Sequence, residues 1–296
     1  MSVSSPAAFL RGPDGWQRAH FTFQNSRQGN TRLTKQFFQY PFHITRPVHL
    51  DSEWPELATL IMQSTSGGLY RDDRLSLSLK FNKNSCAHVT TQSSTKVHSM
   101  EEYGNAKFNI SVLVDSGAHA ELINDAMILF PESRLDTDLD ILVDKDSSAI
   151  ITDSALWHEP DKNLTYQGFS EPRFNSFKQT ISIRKTDDLA PSVRECQWSG
   201  KESVVGVSTW SKYKVQGSIY AVAPSRDIEK IKDYCLQALD ETSHIVGGIS
   251  LLPNNLGVIG RFLGCDGDAM RLALKYQWRA ARYAITGKRD GLKWTK

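Results

Sequence analysis

Cysteine is scarce in this chain: four residues among 296, Cys86, Cys196, Cys235 and Cys265, all far apart. Such spacing excludes a zinc ribbon and a close-paired redox motif. The opening Met1-Ser-Val-Ser-Ser-Pro6 has no cationic stretch followed by an apolar core, so no secretory leader is expected. The thiols are then expected to be reduced and the protein cytoplasmic. Long apolar runs are missing too, and none reaches the ~18 residues of a membrane-spanning helix. Neither sign of charge dominates, since 35 basic residues face 33 acidic ones for a net +2. That balance offers no electrostatic case for nucleic acid or a membrane surface as partner.

The motifs of several enzyme classes are equally absent. There is no Gly-x-x-x-x-Gly-Lys-Ser/Thr loop for nucleotide phosphates. No Gly-x-Ser-x-Gly elbow and no His-Glu-x-x-His pair occurs. The eight histidines are scattered. Cys86-Ala-His88 puts two soft ligands on one side of a strand, although a buried thiol beside an edge histidine is the favoured reading. Asn109-Ile-Ser and Asn163-Leu-Thr match the glycosylation pattern, as chance does in a cytoplasmic chain. Asp136, Asp138 and Asp140 alternate, which places three carboxylates on one strand face. They suit either a hard cation or a solvated face that blocks edge pairing.

What is present is mainly strand. Residues 1–30 are rich in Ser, Gly, Gln, Asn and Arg and read as a flexible arm, with one strand placed at Ala19–Phe23. Residues 31–296 read as a single domain, strand-rich over 31–224 and helix-containing over 225–296. Leu75, Leu77, Leu79 and Phe81 alternate with polar residues, as do Phe108, Ile110, Val112 and Val114. Many short strands of near-regular spacing predict a sandwich, a barrel or a solenoid, although no sequence period repeats. Beyond Pro224 the spacing changes to three and four. One helix is predicted over Ile228–Leu239, capped near Ser225 or Asp227. A second starts at Asp266 or Asp268, carries Met270, Leu274, Trp278, Ala281 and Ile285 on one side, and ends at Gly287. Arg271, Lys275, Arg279 and Arg282 lie off that stripe and read as a solvated basic side.

The most informative stretch runs from Thr59 to Met100. A strand leads to Gly67-Gly68, where glycine permits positive φ. Asp73 is placed to cap the turn before the strand Arg74–Phe81. The polar run Thr90-Thr91-Gln92-Ser93-Ser94-Thr95-Lys96 follows. This order resembles the UreD/UreH family of urease accessory proteins. Further patches resemble it in sequence order: Gln39–Pro47, Ala120–Phe130, Ile150–Asp153 and Gly257–Gly264 before a long helix with Trp278 and Arg279. The chain departs from the family at Arg71-Asp72, where a second Gly pair is common, and at His158-Glu159, where Gly-Arg is common.

The resemblance implies a mainly β, wrapped, β-helix-like architecture with two helices near the C-terminus. It implies a non-enzymatic scaffold or metallochaperone component that helps deliver nickel to the urease apoprotein, together with a UreF-type protein and a UreG-type GTPase. No cofactor would be tightly bound and no fixed metal site is expected, with nickel only in transit. Asp73, Thr91, Ser94, Thr95 and Asp153 are the expected transfer path, with Gly67 and Gly68 as the structural turn. Trp278, Arg279 and Arg282 are the expected partner contacts, because aromatic and Arg residues are enriched at interface centres. Trp278 reads equally well as core. Two other readings are a β-rich scaffold with no metal path and a carbohydrate-active β-enzyme, which needs a facing carboxylate pair.

Overall fold

The computed structural model describes residues 13–100, 103–157, 174–188, 190–200, 213–242 and 244–292. In chain order the strands are β1 Gln17–Asn25, β2 Thr31–Phe38, β3 Phe42–Ile44, β4 Ala58–Ser64, β5 Arg74–Phe81, β6 Cys86–Thr91, β7 Thr95–Val97, β8 Ala106–Val114, β9 His119–Ile123 and β10 Met127–Leu129. There follow β11 Arg134–Val143, β12 Ser148–Trp157, β13 Ser176–Lys185, β14 Val193–Gly200, β15 Val215–Val222, β16 Ile245–Leu251 and β17 Gly257–Gly264. Helix α1 spans Ile228–Asp240 and α2 spans Gly267–Thr286.

From β4 to β13 the chain alternates between two sheets. One has the order β14-β13-β11-β8-β5-β1-β2, and the other runs β16-β17-β15-β12-β9-β6-β4-β3. The wound strands β5, β8, β11 and β13 pair in parallel, as do β4, β6, β9 and β12. The expected wrapped, β-helix-like fold with two C-terminal helices is therefore what the chain adopts. The coils repeat in structure without repeating in sequence, because each rung needs only alternating apolar residues facing inward. Phe21, Phe23, Leu77, Leu79, Phe81, Val89, Val112, Val114, Ile141 and Ile151 fill the space between the sheets.

Three expectations change. Within the supposed arm, Gln17–Asn25 is a strand paired to β5, and Phe21 and Phe23 are fully buried. The strand expected at Ala19–Phe23 is present and extends by two residues at each end, so these residues belong to the sheet rather than to a loose arm. Asp136, Asp138 and Asp140 sit on β11, between β8 and β13, so they guard no edge. Asp136 instead accepts from Asn105 Nδ2 at 2.7 Å and lies 3.9 Å from Lys107 Nζ. Nor is His88 at an edge, since β6 is paired on both sides.

Both helices pack their apolar stripes on the outer face of the second sheet, against Val215, Ile219, Ala221, Val258 and Phe262. Asp227 and Asp266 cap them, accepting from Lys230 N–H and Ala269 N–H at 3.1 and 2.8 Å. Gly287 ends α2 at φ +71°. The caps are those predicted.

Candidate functional site

The coils of the second sheet are interrupted at one level. Gln92, Ser93 and Ser94 separate β6 from β7, while Asn124, Asp125 and Ala126 separate β9 from β10. The next rung, β12, is continuous, but it pairs with β9 only up to Thr152 and with β10 only from Ala155. Asp153 and Ser154 have no strand neighbour on that side. On the other flank β4 ends at Ser64, and pairing resumes at the Leu69–Val97 bridge beyond Gly67-Gly68. Stacked gaps of this kind make a polar slot through the sheet. Short polar residues line it because a continuous strand there would close it.

Spaces lie on both sides of the slot. Outside, a cleft of about 720 Å³ runs between the sheet and α2, lined by His88, Thr90, Ser154, Met270 and Trp278 among others. Inside, a smaller space of about 260 Å³ reaches Leu75 and Phe108 of the facing sheet and Gly67-Gly68. Gln92, Ser93, Ser94, Asn124 and Asp125 border both. Thr91 braces the gap: its hydroxyl accepts from Asp125 N–H at 2.9 Å and lies 3.5 Å from Asp125 Oδ2.

Asp153 leaves the far rim of the slot and points between the sheets, where Gln179 Nε2 donates to its Oδ2. Burial pushes its carboxyl up to about 6, opposed only weakly by the Ser154 backbone N–H. Among the described residues no cation compensates it, so proton uptake near neutrality is within its reach. Around it lies a polar layer between the sheets. Gln197 donates to Gln216 at 2.9 Å, and Thr137 Oγ1 has no partner among the described residues.

Of the sequence-predicted path, Thr91, Ser94 and Thr95 border the inner space, whereas Asp153 lines neither space and meets the gap only through its place on β12, just past the end of pairing with β9. Asp73 does not join them. Its Oδ2 accepts from Tyr70 N–H at 2.7 Å, which closes the turn before β5. Gly68 has φ +150°, with Lys96 O and the His98 ring where a Cβ would sit. Asp72 takes φ +65°, so the backbone adopts the glycine-like conformation even though the second Gly pair is absent. His158 and Glu159 lie outside the described residues.

The expected partner contacts are corrected by burial. Trp278 and Arg282 are 3% and 0% exposed and cannot meet a partner on the surface. Arg282 is the centre of an ionic network that the sequence did not disclose. Its Nη2 donates to Asp51 Oδ2 at 2.5 Å and its Nε lies 3.4 Å from Glu121 Oε1. Glu121 also meets His88 Nδ1 at 2.8 Å and His119 Nε2 at 3.1 Å, and the guanidinium lies over Trp54 and Trp278. Burial alone would raise Glu121, but the Arg282 charge and the two imidazoles outweigh it and hold the carboxyl well below the usual range. Asp51 fixes the chain end as well, accepting from Gly291 N–H at 3.2 Å. Arg279 is half-exposed and bound to Asp290, Nε to Oδ2 at 2.7 Å. Cys86 faces Thr31 as an inert thiol, pushed up to about 11 by burial. Among the described residues, no three His, Cys, Asp or Glu side chains gather as a metal site.

Comparison with known proteins supplies the remaining piece. The family described as UreD urease accessory protein matches residues 16–293. The chain belongs to the UreD family. It is 31% identical to urease accessory protein UreD 1 of Methylorubrum populi, over 96% of this chain and 93% of that one. It is 28% identical to UreD 1 of Pseudomonas syringae pv. tomato, over 91% and 92%. UreD of Photorhabdus laumondii is 27% identical, over 93% and 84%. UreD proteins are accessory proteins, not enzymes, so the carbohydrate-active reading falls away. Among the described residues no helix is long and apolar enough to cross a membrane.

Proposed function

We propose that this UreD protein serves urease maturation as a non-enzymatic metallochaperone component in the cytoplasm, passing nickel in transit toward the urease apoprotein. A UreF-type protein and a UreG-type GTPase complete the assembly in this reading. The observation that carries it is the polar slot, with Asp125 at its wall and Asp153 on β12 beside the gap. Hydroxyls, amides and single carboxylates hold a divalent ion loosely enough to release it, whereas a clustered His/Cys site would retain it. The transfer residues in this reading are Thr91, Ser94, Thr95, Asp125 and Asp153, with Asp73 acting as a turn cap.

The decisive experiment is Asp153→Asn in a urease-positive host. The variant is expected to fold and to co-purify with the same partners, yet to yield poorly activated urease, worst at limiting nickel. Full activation at limiting nickel by the folded variant would leave the scaffold without a metal path as the better account. Asp73→Asn keeps an acceptor for Tyr70 N–H and is expected to activate urease normally.

A further inference from the structure

Among the described residues, strand β16 is a free sheet edge of unusual composition. It reads Ile245-Val-Gly-Gly-Ile-Ser-Leu251, without charge or proline. The other edges are blunted in ways natural sheets use against pairing. β2 carries exposed Arg32 and Lys35, β14 carries Arg194 and Glu195, and β3 has only three residues. On β16, Val246 and Leu251 are 56% and 38% exposed.

The hydrogen-bond phase of this edge follows from one contact. Leu252 N–H donates to Gly257 O at 2.8 Å, and the β16–β17 register runs back from there. In an antiparallel ladder the bonded pairs alternate, so Val246, Gly248 and Ser250 direct their amides to β17. Ile245, Gly247, Ile249 and Leu251 direct theirs outward, and these have no partner among the described residues. The pattern is symmetric about Gly248. A second β16, laid antiparallel with a two-fold axis at Gly248, pairs Gly247 with Ile249 and Ile245 with Leu251, all through outward amides. Gly248 then faces its own copy in a non-hydrogen-bonded pair, where Cα atoms approach to about 4.5 Å. Val246 faces Ser250. No like charges meet, and the self-complementary patch is what a two-fold homodimer requires.

We propose that UreD self-associates through β16, joining the second sheets of two copies into one continuous sheet. This uses neither the slot nor the outer cleft. Gly248 provides a clean test, because a Cβ built there meets nothing within 4 Å and its φ is not positive. Gly248→Lys leaves the monomer undisturbed but sets two ammonium groups opposite each other in the dimer.

By sedimentation of the full chain, the wild type is expected to show a concentration-dependent monomer–dimer equilibrium. Gly248→Lys should raise the dissociation constant by up to about fivefold, since directly opposed like charges destabilise a pair, with an unchanged thermal midpoint. Gly248→Cys, under mild oxidation, should give a disulfide-linked dimer through residue 248. A dimer that Gly248→Lys leaves intact overturns the proposal. So does a monomeric wild type whose β16 amides gain exchange protection only when urease or another protein is added, which would assign the edge to a different chain's strand.

Discussion

At the scale of single residues, two buried carboxylates behave in opposite ways, and neighbouring charge decides which. Asp153 has no cation beside it among the described residues, so burial raises its carboxyl from an unfolded value near 3.8 to about 6. Its ionisation therefore opposes folding: the penalty is absent below about pH 4, grows across the window between, and is complete above about pH 6, where it reaches about 3 kcal/mol. Asp153→Asn should be more stable than wild type at pH 7.5, with the difference vanishing below about pH 4 in thermal melts. An equal midpoint at both pH values would contradict the charged, uncompensated state. A variant that gains stability while losing urease activation would mark a group kept for use rather than for the fold. Glu121 is the reverse case. Arg282, His88 and His119 hold it ionised, so its contribution is present above its unfolded value and lost as acid protonates it. Arg282→Met leaves Glu121 and Asp51 buried without their cation and should cost about 3–5 kcal/mol in denaturant unfolding. Adding Glu121→Gln should recover part of that loss, and strictly additive costs would show that the two do not interact.

At the scale of elements, the legible features were those set by near neighbours in sequence. Asp227, Asp266 and Gly287 announced the ends of α1 and α2 because a cap bonds within three or four residues of itself. Alternation likewise disclosed the buried faces of β5 and β8. Arg282 could not be read that way. Its helical position marked it as off the apolar stripe, and only the meeting of α2 with Asp51, 231 residues away in sequence, makes an interior place for a guanidinium. The pair Asp51–Arg282 also holds α2 and the chain end to the loop after β3. Gly287→Val is a local counterpart: at φ +71° a β-branched residue should cost about 1–2 kcal/mol. It should fray the last turn of α2, read as faster amide exchange there, with the sheets unaffected. Exchange that quickens equally in β5 and β8 would mean that the helix end and the sheets unfold as one unit.

At the scale of the whole molecule, winding the chain between two sheets brings distant polar runs to one level. Thr91–Thr95 was conspicuous in the sequence as a polar strip, and Asp153 was marked by family likeness, but Asn124-Asp125-Ala126 stood out only as part of the family-like patch Ala120–Phe130. Its significance comes from sheet order, since β9 lies between β6 and β12 and places its break beside that of β6 and beside Asp153 and Ser154 of the continuous β12. Alternation reports which face a residue takes and says nothing about which strand lies next to it. Ser94 borders both spaces, so a large side chain there tests the slot without altering any charge. Ser94→Trp should fill the gap at a position outside the paired strands, leaving the fold and partner binding intact. Urease activation should fall, and excess nickel should restore it only in part, because obstruction slows passage rather than weakening a binding equilibrium. Gln92→Ala, which shortens an exposed neighbour, should leave activation unchanged. Equal activation by the Ser94→Trp and Gln92→Ala variants at limiting nickel would mean that the slot is not the route.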